Sequence, residues 1–428
     1  MAFTQIIGEF CSLKMNKQIT DIIYSAITGD ASGYTLDGLK KAHISAVFRD
    51  AEGYPDPSPA LKNSMERWKK PGFYSSITQF MLLASACTDS RTFHRGRFIE
   101  AVAHSPELPD TEYSYFRNPG PAERNFIASV KSGEAAPFTK PCARILPAAI
   151  PLLFIENRAG LLPALLEYVS LFTRDITTAV HAYFFIRLLS DILKSGRGDK
   201  LLNTASGSVA DATADLTENQ HSIFTAGYNP DYFLAEGERY SSLIRKLEGT
   251  ADIERAGKII CDSANTRLKT PIARASANLP ECILPLALYL SAGQGDPGEI
   301  FHRASREGGA ASALAAAAGA ITCAYYGINI PAHLAENMAN KKKISTILEI
   351  ISLKSYRGGL VKILHDSEPG LTLKEIEEFR ARNKNEVKTQ KTPKTRKDVE
   401  SELTRHVVES WTKVDKAKWR KERNRHET

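Results

Sequence analysis

Apolar positions recur along this chain at helical spacing. Ile22–Ile27, Ile77–Ala86, Phe98–Ala103, Leu161–Phe172, Thr177–Leu193, Ile283–Leu290 and Ala310–Tyr326 each predict a helix with an apolar face. Breakers fall between them at Pro55–Pro59, Pro106–Pro109, Pro119–Pro121, Gly196–Gly198 and Gly293–Gly298. The chain shows no run of alternating strands, no βαβ rhythm and no internal repeat. The expected fold class is therefore all-α. A body of roughly 350 residues exceeds the usual size of one core, so it is either two lobes or one unusually large bundle.

The segment 306–331, REGGAASALAAAAGAITCAYYGINIP, carries almost no side-chain bulk. Alanine is the strongest helix former. A helix without bulk on any face must lie against close neighbours all round, which predicts the central helix of the domain. Gly308 and Gly309 let the chain turn sharply just before it.

Composition narrows the class. Of 428 residues, 43% are hydrophobic and 25% charged, as in a globular protein and unlike a disordered or fibrous one. No run of about 18 uncharged apolar residues is present, so no transmembrane segment is expected. Glu9 interrupts the short apolar run at the N-terminus, where no signal peptide is read. Six scattered cysteines without metal spacing suggest free thiols in a reducing compartment, and a cytoplasmic location is expected.

Charge divides the chain. From Arg380 onward there are 16 Lys/Arg and 8 Asp/Glu, a net +8, whereas residues 1–379 carry 40 basic and 41 acidic residues, a net −1. Residues 1–350 read as the helical domain and 351–382 as a short helical extension. There Thr372 and Glu375 form a capping box that would start a helix through Phe379. Residues 383–398 read as a flexible basic linker. Residues 399–428 read as an amphipathic basic helix with Leu403, Val407, Trp411 and Val414 on one face. Such an arm suits a protein or nucleic-acid partner, contacted through residues 383–428.

Several segments, taken in order, resemble the ADP-ribosylglycohydrolase family. The family's opening GDxxGxxxE pattern is matched by Gly29-Asp30-Ala31-Ser32-Gly33 through Asp37, and its (T/S)DDTQ motif by Ser75-Ser76-Ile77-Thr78-Gln79. Its MRxxPLxL stretch is matched from Ala143-Arg144, and its threonine–histidine motif by Thr173-Arg174. Its closing LPxAL, GGDTDT, YG and IP are matched by Leu284–Leu288, Gly308-Gly309 and the residues after them, Tyr326-Gly327 and Ile330-Pro331. The resemblance covers about residues 20–345. It implies a single large helical domain, and in the family's enzymes two magnesium ions held between the two Asp-rich motifs against the ribose of ADP-ribose.

The metal-binding carboxylates are missing at the matched positions. The first motif reads Ser75, Ser76 and Ile77, and the residues after the paired glycines read Ala310, Ala311, Ser312 and Ala313. Magnesium is a hard cation that wants charged oxygens. No magnesium site and no other cofactor is therefore expected. The resemblance leaves Asp37, at the family's acid position, as the surviving catalytic candidate. It also marks a possible cleft for an ADP-ribose-like ligand at Asp30, Asp37, Gly120, Arg144, Arg174, Gly308 and Gly309. The leading expectation is a catalytically degenerate member acting as a binding or scaffolding protein. The alternatives are a divergent hydrolase of ADP-ribose-type glycosidic bonds and a nucleic-acid-associated protein that uses the basic arm. His181 reads as a satisfied core or surface histidine in preference to a ligand.

Overall fold

The computed structural model describes residues 2–48, 53–60, 68–109, 111–133, 137–196, 200–250, 252–293, 296–353 and 358–390. Its α-helices run in the order α1 (Ala2–Tyr34), α2 (Lys41–Val47), α3 (Ser76–Ala86), α4 (Arg95–Ala103), α5 (Pro121–Ser132), α6 (Ile145–Ala148), α7 (Arg158–Phe172), α8 (Ile176–Ser195), α9 (Leu201–Glu218), α10 (Gln220–Thr225), α11 (Pro230–Glu248), α12 (Ile253–Asn265), α13 (Pro280–Ala292), α14 (Ile300–Ser305), α15 (Ala311–Tyr326), α16 (Ala332–Asn337), α17 (Lys341–Ser352) and α18 (Gly358–Gln390). Among the described residues there is no strand, only the isolated bridges Lys40–Gly308 and Thr88–Phe93. The fold class is all-α, as the apolar spacing predicts.

The chain forms two compact units, 1–375 and 376–428. In the second unit, the described residues are the end of α18. The expected basic helix at 399–428 and residues 391–398 of the expected linker lie outside the described residues.

The centre of the first unit is the antiparallel pair α1–α15. Every residue from Ala311 to Cys323 is buried, as the lack of bulk requires. The close approach is made by small residues four apart on both helices. A Cβ built on Gly29 would lie 2.1 Å from the Ala315 carbonyl oxygen, and one on Gly33 would lie 2.3 Å from that of Ala311. One turn earlier on α1, the Ser25 hydroxyl donates to the Gly319 carbonyl at 2.9 Å. The Gly29–Gly33 segment thus completes α1, and its glycines serve helix contact. Around this pair packs a ring cluster in which Phe80 stacks on Phe116 at 4.6 Å and meets Phe172 edge-on at 5.1 Å.

α8 is long and apolar enough to cross a membrane by composition alone, but 78% of that stretch is buried against the rest of the protein. It also carries the buried Arg187. Five cysteines, at 87, 142, 261, 282 and 323, are free and buried.

One local reading is corrected. Thr372 does not cap a new helix, because α18 already runs from Gly358. The Thr372 hydroxyl donates to the Tyr115 carbonyl at 2.6 Å and accepts from Arg117 at 3.2 Å. Glu375 accepts from the Tyr34 hydroxyl and the Lys70 amide. Four residues before Thr372, Glu368 takes 2.6–2.8 Å bonds from Tyr74, Gln79 and Arg117. These long-range bonds to buried groups fasten the first half of α18 to the core, so the packed body extends to Glu375.

Candidate functional site

The site is built from three helix N-termini. Asp30, in the last turns of α1, is fully buried and serves the start of α3. Its carboxylate accepts from the Ser75 amide (3.0 Å) and hydroxyl (2.7 Å) and from the Thr78 amide (3.2 Å) and hydroxyl (2.7 Å). Burial pushes this carboxyl above the usual carboxylate range, against the pull of Thr78, Arg144 and Ser75. Asp30 therefore caps a helix beneath the cleft and does not line it. Ser75 is itself the N-cap, accepting from the Ile77 amide at 3.1 Å, and Ile77 is buried.

At the start of α5, Gly120 precedes Pro121, and Glu123 folds back so that its carboxylate accepts the Gly120 amide. The same oxygen accepts from Ser76 at 2.8 Å and from Arg144 Nε at 2.9 Å. Arg144 Nη2 donates to Ser76 (2.8 Å), Ser75 (3.2 Å) and the Asn118 carbonyl (3.1 Å). A guanidinium thus rests on the two serines of the first motif. Burial pulls the Arg144 pKa down, but Glu123, Asp37 and Asp30 more than reverse this, and it stays charged.

The third N-terminus is that of α15. Gly308 and Gly309 both hold positive φ, at 65° and 61°, and a Cβ on either would collide with Leu39 or Ser276 backbone oxygen. The turn they make aims α15 at the loop after α1. There Asp37 accepts from the Ser312 amide at 3.3 Å and from Asn118 Nδ2 at 3.4 Å. Its Oδ2 lies 3.6 Å from Arg144 Nη1 and 3.9 Å from Lys69 Nζ. Ala310, Ser312 and Ala313 are buried, and the Ser312 hydroxyl and Glu123 Oε1 have no partner among the described residues.

Between these parts lies a cleft of about 380 Å³ lined by Asp37, Lys69, Asn118, Gly120, Arg124, Arg144, Asn278 and Gly309, among others. Four of the cleft residues read from the sequence, Asp37, Gly120, Arg144 and Gly309, do meet here. Asp30 and Gly308 act just behind it. Arg174 is a correction: it is exposed on the loop before α8, where it donates to the Ala226 carbonyl, and it does not line the cleft. The sequence reading missed Lys69, Glu123, Arg124 and Asn278. Only Glu123 left a trace, as an acid at the third position of a helix opened by Gly120-Pro121. Among the described residues, no group of three or more His, Cys, Asp or Glu is placed to share a metal.

A second buried polar cluster lies apart from the cleft. His181 on α8 bonds the Thr177 carbonyl at 2.9 Å and sits 3.7 Å from Glu236, which Arg267 also pairs at 3.1 Å. Burial pushes the His181 pKa down to about 4, so it is a neutral core group, as its place on the apolar face of α8 suggests.

The protein is thus an all-helical body with a polar cleft between the ends of α1, α3, α5 and α15. The family model for ADP-ribosylglycohydrolase matches residues 14–360, and the chain belongs to that family. Among solved structures, one described as an ADP-ribosylglycohydrolase-related protein complex is similar over 80% of this chain and 98% of its own. Its TM-score is 0.51 and its sequence identity 16%, which is a likeness of fold. A search of curated proteins finds no match.

Proposed function

We propose that this chain is a non-hydrolysing member of the family, which uses the cleft to bind an ADP-ribose-like ligand without magnesium and serves as a binding or scaffolding protein. The observation that carries this reading is the guanidinium of Arg144 seated on Ser75 and Ser76. Magnesium wants charged oxygens in octahedral array. The positions at 75–77 and 310–313 offer three hydroxyls and no carboxylate. Asp37 alone among the lining residues is an acid, and it already faces two cations. A metal ion entering there would be repelled by Arg144 and Lys69. The residues present do not fit the family's metal pair.

The direct test is hydrolysis. An ADP-ribosyl N- or O-glycoside is incubated with the protein and magnesium, and free ADP-ribose is followed by chromatography. The proposal expects release no faster than in buffer. Magnesium-dependent release that Asp37→Asn abolishes would instead support a divergent hydrolase. The net +8 from Arg380 onward supports a second contact, with a protein or nucleic acid, through the basic arm.

A further inference from the structure

Glu375 joins two segments that lead into the cleft. Its Oε2 accepts from the Tyr34 hydroxyl at 2.9 Å, and its Oε1 accepts from the Lys70 amide at 2.8 Å. Tyr34 ends α1, three residues before Asp37, and Lys70 follows Lys69. The Lys69 ammonium lies over the Tyr34 ring, 5.5 Å from its centroid, and donates to the Asp37 carbonyl at 3.0 Å. One carboxylate behind the cleft therefore ties together the two stretches of chain that present Asp37 and Lys69. Two turns earlier on α18, Glu368 holds the far end of the 68–75 segment and a third stretch. It accepts from Tyr74, Gln79 and Arg117, and Gln79 in turn accepts from the Arg117 amide at 2.8 Å. The next residue, Asn118, donates to Asp37 and accepts from Arg144. Both glutamates are buried, neither lines the cleft, and both lie beyond the residues 14–360 that the family model matches.

We infer that the first half of α18 is a clamp on the cleft, with Glu375 as a positioning residue that sets Lys69 against Asp37. This role rests on the reading that the cleft binds an ADP-ribose-like ligand, and it adds an element that controls the cleft without touching it. Hydroxyl and amide groups taken out of water need acceptors. Residues 68–75 carry no helix of their own, so long-range bonds at their two ends hold them in place. Without Glu375, the Tyr34 hydroxyl and the Lys70 amide turn elsewhere, and Lys69 shifts relative to Asp37.

The test uses the full chain and its variants Glu375→Ala, Glu375→Gln, Tyr34→Phe and Lys69→Met. Calorimetric titration of ADP-ribose in EDTA reads the cleft, and hydrogen exchange without ligand reads the 68–75 segment. Alanine removes both acceptor oxygens and should weaken binding by about tenfold. Glutamine keeps an oxygen for the Lys70 amide and should restore most of that loss. Tyr34→Phe deletes one bond without loss of ring volume, and should weaken binding severalfold even where the alanine variant does not fold. In a Lys69→Met background, Glu375→Ala should have little further effect, because both substitutions break one chain of contacts. The amides of 68–75 should exchange faster in Glu375→Ala while those of α15 stay unchanged, which separates the clamp from general loosening. A role in stability alone would leave the affinity of the folded variants at the wild-type value. That result, additive effects of Glu375→Ala and Lys69→Met, or unchanged exchange over 68–75 overturns the clamp. Absence of ADP-ribose binding by the wild type would instead overturn the reading of the cleft, and the exchange comparison then decides the clamp by itself.

Discussion

Arg144 Nη1 lies 3.6 Å from Asp37 Oδ2, while the opposite edge of the same guanidinium holds Glu123 at 2.9 Å. One cation thus joins the acid facing the cleft to the acid behind it. Removing it leaves the fully buried Glu123 carboxylate without its cation, held only by the Ser76 hydroxyl and the Gly120 amide on one oxygen, while the other oxygen has no partner among the described residues. Breaking a buried pair from one side costs about 3–5 kcal/mol. Arg144→Met should lower unfolding free energy by about that much in urea titrations. A variant within about 0.5 kcal/mol of wild type would show that the pair adds nothing.

Gly33 is the second test. By helix propensity alone, Gly33→Ala would stabilise α1 by about 1 kcal/mol. The structure reverses that sign, because the new Cβ would lie 2.3 Å from the Ala311 carbonyl and 2.4 Å from the Ser312 amide. Overpacking of this kind costs about 1–3 kcal/mol. It would also shift the amide that Asp37 accepts from. Thermal unfolding should show a lower midpoint. A raised midpoint would contradict the α1–α15 contact.

His181 sets a pH dependence. Its folded pKa of about 4 lies below the ordinary 6.5, so the unfolded chain takes up a proton first as pH falls. Its contribution is fully present above pH 6.5 and is lost progressively towards pH 4, amounting to on the order of 3 kcal/mol. Glu236 pulls the value up, and Arg239 and Arg267 pull it down, both less than burial does. Asp175 and Glu281, whose carboxyls burial pushes up, slope stability the other way. The comparison of wild type with His181→Gln isolates the histidine. Denaturation midpoints across this range should fall more steeply with acid in wild type. Parallel curves would contradict a buried neutral His181.

The parts of this fold that were legible in the sequence are those fixed by neighbours along the chain. The alanine run had to be central because it has no bulk to face water, and Gly308-Gly309 had to be a turn. The changed motif positions were likewise visible as residue types. What the sequence concealed are meetings between distant segments. Lys69 lies in a short loop without periodicity, yet its Nζ reaches the Asp37 carbonyl at 3.0 Å. Arg174 follows Thr173 as the resemblance expects, but the loop turns it towards Ala226. Thr372 has the spacing of a capping box, and only packing against Tyr115 and Arg117 reveals it as an anchor inside a longer helix.

With Arg144 and Lys69 facing Asp37 in the cleft, an ADP-ribose-like ligand should bind there without metal. Calorimetric titration of ADP-ribose into the purified full chain, once with EDTA and once with magnesium, measures this. The account predicts binding of the same affinity in both buffers. Binding that requires magnesium would contradict it.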